Sequence, residues 1–227
     1  MTDRIEDLIG RIAMILAFTA LAALQVHSIA AVIRDQSAMA LWPLVLASRV
    51  FGMVFLLFVV FFTLRRLPPR KSAPGVGPRV VAIAGTFITM FLVVLPSSEV
   101  PPELKILATI LIAMGTGLSA FCIVWLGRSF SIMATSRQLV VKGPYRFIRH
   151  PLYAAESLTV LGIIIANWSV WAALFGIVWA ALQYQRVLNE ESVLRATFAE
   201  YDEYARAVPR FFPDLLSAFG LRASRSS

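Results

Sequence analysis

Long apolar runs that are nearly free of charge decide most of what this chain can fold into. They extend from about Ile12 to Ile33, Ala40 to Leu64, Val80 to Leu95 and Leu104 to Leu126, with a longer one from Leu152 to Gln185. A helix rises about 1.5 Å per residue and a bilayer core is roughly 30 Å thick, so about 20 apolar residues make one crossing. The last run is too long for one crossing and is interrupted by Asn167-Trp168, which predicts a tight hairpin of two shorter helices. The expected fold is all-α: a polytopic membrane helix bundle of about six spans, the last two paired as that hairpin.

Composition agrees. Charged residues make up 15% of the 227 residues and hydrophobic ones 59%, whereas about a quarter of the residues of a soluble domain are charged. The formal charge of +8 could suggest a nucleic-acid partner, but the basic residues stand in short clusters beside apolar runs, so membrane topology is the simpler cause and no nucleic acid is expected. Cys122, the one cysteine, lies in an apolar run, which excludes an intrachain disulfide framework and a cysteine-rich metal site. Asp3, Glu6 and Asp7 beside Arg4 are unlike a signal peptide, and the apolar stretch after Arg11 is longer than a signal core. The first span is therefore expected to be uncleaved.

Orientation follows from the basic residues. With the N-terminus inside, eighteen of the 21 Lys and Arg residues fall on the cytoplasmic side, among them Arg65, Arg66, Arg137, Arg149, Arg186, Arg210, Arg222 and Arg225. Only Arg34 and Lys105 fall outside, and Arg49 is within a span. Both termini are expected in the cytoplasm. The short loops and lack of long extensions point to a bacterial or archaeal inner membrane. The Pro/Gly-rich segment 67–78 reads as a plain loop, and Pro96 to Pro102 as an external turn. Beyond Arg186, Leu188, Leu194, Phe198, Tyr201 and Ala205 recur at helical spacing among charges. They predict a cytoplasmic amphipathic helix from Val187 to about Ala207, carrying the i,i+4 pairs Arg186/Glu190 and Glu191/Arg195 and ended by Pro209 and Pro213. His27 and Arg49 are expected to pair across the first two spans.

Chemistry concentrates in the loop after the fourth span, Arg137-Gln-Leu-Val-Val-Lys-Gly-Pro-Tyr-Arg-Phe-Ile-Arg-His-Pro-Leu-Tyr153. Gly143-Pro144 imposes a turn, and Pro151 suits the first turn of a helix, where its missing N–H costs nothing. His150 would then stand at a helix N-terminus, whose free donors and partial positive charge suit a metabolite's carboxylate. Tyr145 and Tyr153 offer faces for an adenine or a sulfonium. The same residues suit plain interfacial anchoring, with the tyrosines in an aromatic belt, and spacing alone does not separate the two.

Gly-Pro-Tyr-Arg-x-x-Arg-His-Pro-x-Tyr at 143–153, an apolar hairpin, Arg186-x-x-x-Glu190-Glu191 with Leu194, Phe198, Tyr201 and Tyr204, and a terminal Val208-Pro-Arg-Phe-Phe-Pro213 together resemble the isoprenylcysteine carboxyl methyltransferase family of integral membrane enzymes. The resemblance covers about residues 120 to 213. It implies a catalytic region at 120–213, accessory N-terminal spans at 1–100, and one membrane domain over 1–227. It further implies S-adenosylmethionine as cofactor, held by Arg137, Gln138, Leu139, Val140, Tyr145, His150, Pro151, Leu152, Tyr153 and a glutamate, either Glu190 or Glu191. Arg186 matches the arginine that holds the substrate carboxylate, which makes Arg186, Glu190 and Glu191 the candidate catalytic residues. The helix phase turns one glutamate to the site and the other to water, and Glu190 shares a face with Arg186. Ala154-Ala155 and Ala199 stand where the family usually has glycine. Glu156, one turn into the fifth span, is either a second polar contact of the site or a residue reached by water.

Methyl transfer from a sulfonium needs no metal. It needs a nucleophile about 3–3.5 Å from the methyl carbon, in line with the sulfur, and the exclusion of water. A carboxylate acceptor is already ionised, so Arg186 would only orient it; an amine acceptor, as in relatives that methylate phospholipids or small lipophiles, would need a base such as Glu156. The lipophilic substrate is expected from the bilayer and its lipids, and the cofactor from the cytoplasm. Nicotinamide-dependent sterol reductases carry a similar Arg-His-Pro-x-Tyr turn, but Glu190-Glu191 and Phe198-Ala-Glu-Tyr201 depart from their pattern.

Overall fold

The computed structural model describes residues 2–39, 41–92 and 99–212. Pro96, Pro213, Arg222 and Arg225 lie outside the described residues. Six helices carry the apolar runs: α1 (Thr2–Arg34), α2 (Trp42–Arg65), α3 (Gly77–Leu92), α4 (Pro102–Leu126), α5 (Pro151–Ala166) and α6 (Val170–Arg195), followed by a short α7 (Tyr201–Ala207). The chain is an all-α membrane helix bundle. Three stretches, Asp7–Arg34, Trp42–Arg65 and Pro102–Ser129, are long and apolar enough to cross a membrane by length and composition, while α3 and α5 supply shorter apolar helices. The hairpin between α5 and α6 turns at Asn167 as its sequence predicts, and Ser169 caps α6 by accepting from the Ala172 N–H at 3.1 Å.

Small residues hold the catalytic-motif helix close. α4 packs along α5, and a Cβ added to Gly115 would sit 2.8 Å from the Ala155 carbonyl oxygen, one added to Gly162 2.7 Å from that of Ala108. Backbones can approach this closely only where side chains are absent, and such contacts stand in for the hydrophobic drive that lipid cannot supply between helices. Around this seam, α1 packs on α2, α2 on α4, and α3 on α6.

Three expectations change. The amphipathic helix is not a separate element: α6 runs unbroken from Val170 to Arg195, since nothing between Leu182 and Val187 breaks a helix, and the chain turns only at Thr197, whose hydroxyl donates back to the Val193 carbonyl at 2.7 Å. The 67–78 segment is not a plain loop. Its Lys71–Ser72 pairs antiparallel with Thr135–Ser136, with Lys71 opposite Ser136, because Arg70 N–H and Ala73 N–H find the Ser136 and Ala134 carbonyls at 2.8 and 2.9 Å. Lastly, His27 is exposed, and the bridge between α1 and α2 is the Gln25 amide, which donates to the Arg49 carbonyl at 2.7 Å.

Replacing Gly115 or Gly162 with leucine should therefore separate α4 from α5. The expected cost is about 3 kcal/mol or more, the upper end for overpacking, seen as a lower midpoint of thermal unfolding in detergent, while Gly10→Ala, which meets no heavy atom within 4 Å, should leave the midpoint unchanged or higher.

Candidate functional site

His150 caps α5, as the His-Pro sequence predicts. Its main chain is held from the C-terminal side: the Arg149 and His150 N–H groups donate to the Pro209 and Arg210 carbonyls at 2.8 and 3.1 Å. The terminal Val-Pro-Arg motif thus backs the His-Pro turn. Gly143 has φ +61°, where a Cβ would strike the Trp125 ring, so glycine is required there.

Glu191 is the centre of the assembly. The expectation that one glutamate faces water fails, because Glu191 is 1% exposed. It accepts from Arg149 Nε at 3.1 Å, Arg210 Nε and Nη2 at 3.1 and 2.9 Å, and His150 Nε2 at 3.2 Å. Arg195, one helical turn on, stands 3.7 Å away, the i,i+4 pair expected. Burial acts to raise its carboxyl, yet the hydrogen bonds from His150 and Arg210 and the charge of Arg149 win and hold it well below the usual carboxylate range. Arg149 also caps the end of α7 through the Ala205 and Val208 carbonyls, the latter at 2.9 Å. The other ring nitrogen of His150, Nδ1, lies on the side of Glu190, whose Oε2 is 4.0 Å away.

Glu190 lies about 100° round the helix from Glu191 and borders the cleft, its side chain 36% exposed. Tyr153 donates to its Oε2 at 3.0 Å, and it lines two small cavities, about 40 and 50 Å³, that share Tyr145, Arg149 and His150. They are parts of one cleft. Gln138, Leu139 and Val140 line it, with Tyr201 and Tyr204 on the far side, and Leu152 and Tyr153 close its inner end. Burial pushes the Tyr204 phenol up to about 12, so it stays a donor, and it donates to the Tyr145 carbonyl at 2.6 Å. The Tyr145 hydroxyl and the Ser131 hydroxyl, both on this cleft, are buried without a partner.

Leu152, Tyr153 and Ser131 also line a second, apolar chamber of about 220 Å³, walled by Phe18, Phe55 and Val59 from the N-terminal helices. Those helices therefore contribute part of the chamber's wall. The charged side chains on the chamber are Glu156 and Arg186. Gln183 links them, donating to Glu156 Oε2 and accepting from Arg186 Nη1, each at 2.6 Å. Glu156 is thus a polar contact of the chamber. Arg186 lies over the Tyr153 ring at 5.0 Å, and its Nε is buried without a partner; the expected i,i+4 contact with Glu190 gives way to Gln183 and Tyr153.

Two predicted cofactor residues are otherwise engaged. The Arg137 guanidinium, 2% exposed, is taken by Asp7 Oδ1 at 3.0 Å and by the Leu67 carbonyl, while the residue still borders the cleft. Pro151 is buried as the first residue of α5 and shapes the turn. Sequence reasoning missed Arg149, Arg210, Gln183 and Ser131. Arg149 and Arg210 sat inside the quoted motifs, where two adjacent glutamates with unassigned arginines were the available signal.

Residues 104–201 match the phospholipid methyltransferase family, a stretch that includes the 143–153 turn and the Arg186 to Tyr201 pattern. A nickel-cobalt-cadmium resistance protein of Alcaligenes xylosoxydans xylosoxydans is 38% identical over 81 residues, 35% of this chain and 38% of that protein. A cobalt-zinc-cadmium resistance protein of Cupriavidus metallidurans is 40% identical over 78 residues, 34% of this chain and 36% of that protein. A protein-S-isoprenylcysteine O-methyltransferase of Schizosaccharomyces pombe is 31% identical over 110 residues, 45% of this chain and 46% of that protein. The chain thus matches less than half the length of each of these relatives.

Because the folded carboxyl of Glu191 lies below its unfolded value of about 4.3, its stabilisation is complete above that pH and is lost as pH falls toward the folded value. The unfolding midpoint in detergent should be level from about pH 8 to 5 and drop below about pH 4. Glu191→Gln should lower the neutral-pH stability by roughly 3–5 kcal/mol, the cost of stranding the arginines, and should flatten part of the acid decline.

Proposed function

From a chain whose residues 104–201 match the phospholipid methyltransferase family and which is similar to an isoprenylcysteine O-methyltransferase, we propose that it is an integral membrane S-adenosylmethionine-dependent methyltransferase. Its acceptor is the carboxylate of a lipophilic, isoprenylcysteine-like molecule that enters from the bilayer. The observation that carries this is the pairing of an apolar chamber with a polar cleft across Leu152 and Tyr153, Arg186 on one side and Glu190 on the other. Both termini face the cytoplasm, in accord with the basic residues gathered at the end of the bundle that holds the cleft.

The residues present fit the cofactor. Bound S-adenosylmethionine supplies an electrophilic methyl group on a sulfonium. The unpartnered Tyr145 hydroxyl and Ser131 hydroxyl are free to take polar contacts, the 138–140 segment and Tyr201 flank the cleft, and Glu190 offers a carboxylate to a cationic or hydroxylated group. His150 presents Nδ1 at the same place. The cleft is narrow as it stands, so its side chains must part on binding. Glu191 acts as a positioning residue, since it touches only His150 and arginines.

In the chamber, the free Arg186 Nε suits a substrate carboxylate, which needs no base. Arg186 orients it, and the surrounding Phe18, Phe55 and Val59 exclude water. An amine acceptor, as a phospholipid would offer, is favoured by one observation: Glu156 stands in the same chamber, 2.6 Å from Gln183, where it could take a proton. Among the described residues no group of three or more His, Cys, Asp or Glu side chains is placed to hold a metal ion.

His150→Ala and Arg186→Ala should each abolish transfer, by about 100-fold or more, with membrane insertion intact. Isothermal titration separates the roles. His150→Ala should lose S-adenosylmethionine binding, whereas Arg186→Ala should keep it and lose the acceptor. Binding of reduced nicotinamide cofactor in place of S-adenosylmethionine would overturn the assignment, as would near-native activity of the His150 variant.

A further inference from the structure

The largest cavity among those described belongs to neither cleft nor chamber. It measures about 320 Å³ and lies at the basic end of the bundle, between the start of α1, the end of α2, the 72–79 segment and residues 131–135. Asp7 and Arg66 give it a polar side, Met14, Ile132 and Met133 an apolar one, and Ile9, 61% exposed, stands at its mouth.

Charge at this cavity is out of balance. Among the described residues the Asp7 carboxylate is shared by Arg66 at 2.8 Å, Arg137 at 3.0 Å and Arg11 at 3.7 Å, and of these arginines Arg66 lines the cavity. Arg66 is 8% exposed, and the Nε groups of all three arginines are buried without a partner. Among the described residues one carboxylate serves the two buried guanidinium groups of Arg66 and Arg137, and buried charge left unpaired is costly. Burial pulls the Arg66 guanidinium below its ordinary value, Asp7 opposes this, and the charges of Arg137 and Arg11 add to the fall. An anion in the adjoining space would offset the surplus, and arginine favours phosphate through its fork of donors.

We propose that this cavity binds a phosphate group, that of an anionic lipid headgroup, with the apolar wall against the glycerol and the first methylenes of its chains. The site lies apart from the methyl-transfer centre and does not depend on that assignment. It borders it, however: residues 131–135 line this cavity, Thr135 to Val140 line the cleft, and Arg137 joins both to α1 through Asp7. A bound phosphate should therefore order the cofactor side, and by linkage each ligand should tighten the other.

Native mass spectrometry of the detergent-solubilised full chain tests this with phosphatidylglycerol, phosphatidylcholine and inorganic phosphate as probes. Phosphatidylglycerol should be retained over phosphatidylcholine by about fivefold or more, the worth of one well-placed arginine. Arg66→Gln should remove the preference. Since that variant disturbs a buried ion cluster, Gly10→Leu provides a second: Gly10 lines the cavity, a Cβ there meets no heavy atom within 4 Å, and a leucine would fill the space without disturbing the arginines. Both variants should still titrate with S-adenosylmethionine, which keeps failure of this site distinct from failure of the proposed activity. If inorganic phosphate raises the unfolding midpoint of the wild type but not of Gly10→Leu, without lipid preference, free phosphate is the source and the site stands. Equal retention of the two lipids with no effect of phosphate, or retention unchanged in both variants, would overturn the proposal.

Discussion

Everything near the site leans on one buried carboxylate. Glu191 receives donors from Arg149, Arg210 and His150, and so ties the start of α5, the end of α6 and the segment after α7 at a single point. Those pieces are far apart in sequence, with His150 and Glu191 separated by 41 positions. A carboxylate withdrawn from water would be a liability alone, but here its oxygens are surrounded by charged donors, and removing the carboxylate would leave those donors to mutual repulsion. The result is a braced wall from which His150 turns Nδ1 toward Glu190.

α6 supplies the other half of the design. Because the helix continues from its apolar half into its charged half without a break, Gln183, Arg186 and Glu190 lie along one face of one rod, and Glu191 is turned away to the clasp. Tyr153 fits between them, under the Arg186 guanidinium and bonded to Glu190. The single side chain borders chamber and cleft at once, so the proposed apolar acceptor and polar donor would approach it from opposite directions. The close seam of α4 and α5 at Gly115 and Gly162 fixes the depth at which that happens.

Local signals in the sequence carried the features that are local in the structure. Apolar runs and the Asn167-Trp168 interruption located the helices and the hairpin; His-Pro predicted the cap of α5; the phase shared with Arg186 leaves Glu190 on the cleft, whereas the buried glutamate is Glu191. What escaped was long-range. Asp7 and Arg137 meet across 130 positions, and nothing in either neighbourhood announces it, so the tie between the Arg137 guanidinium and α1 was not legible even though Arg137 does border the cleft. Glu191 read as solvated because a charged residue on an amphipathic pattern usually is, and its three partners come from other segments. The two-residue ribbon at 71–72 and 135–136 is too short to leave any periodicity.

The central claim is that His150, Glu190, Tyr145 and the 138–140 segment enclose one cofactor. An experimental structure of the full chain in lipid nanodiscs with S-adenosylhomocysteine tests it most directly. The account predicts the nucleoside against Tyr145 and residues 138–140, its amino-acid end toward Glu190 and its sulfur facing the septum of Leu152 and Tyr153. Density for the ligand at another surface, with the cleft closed as before, would contradict it.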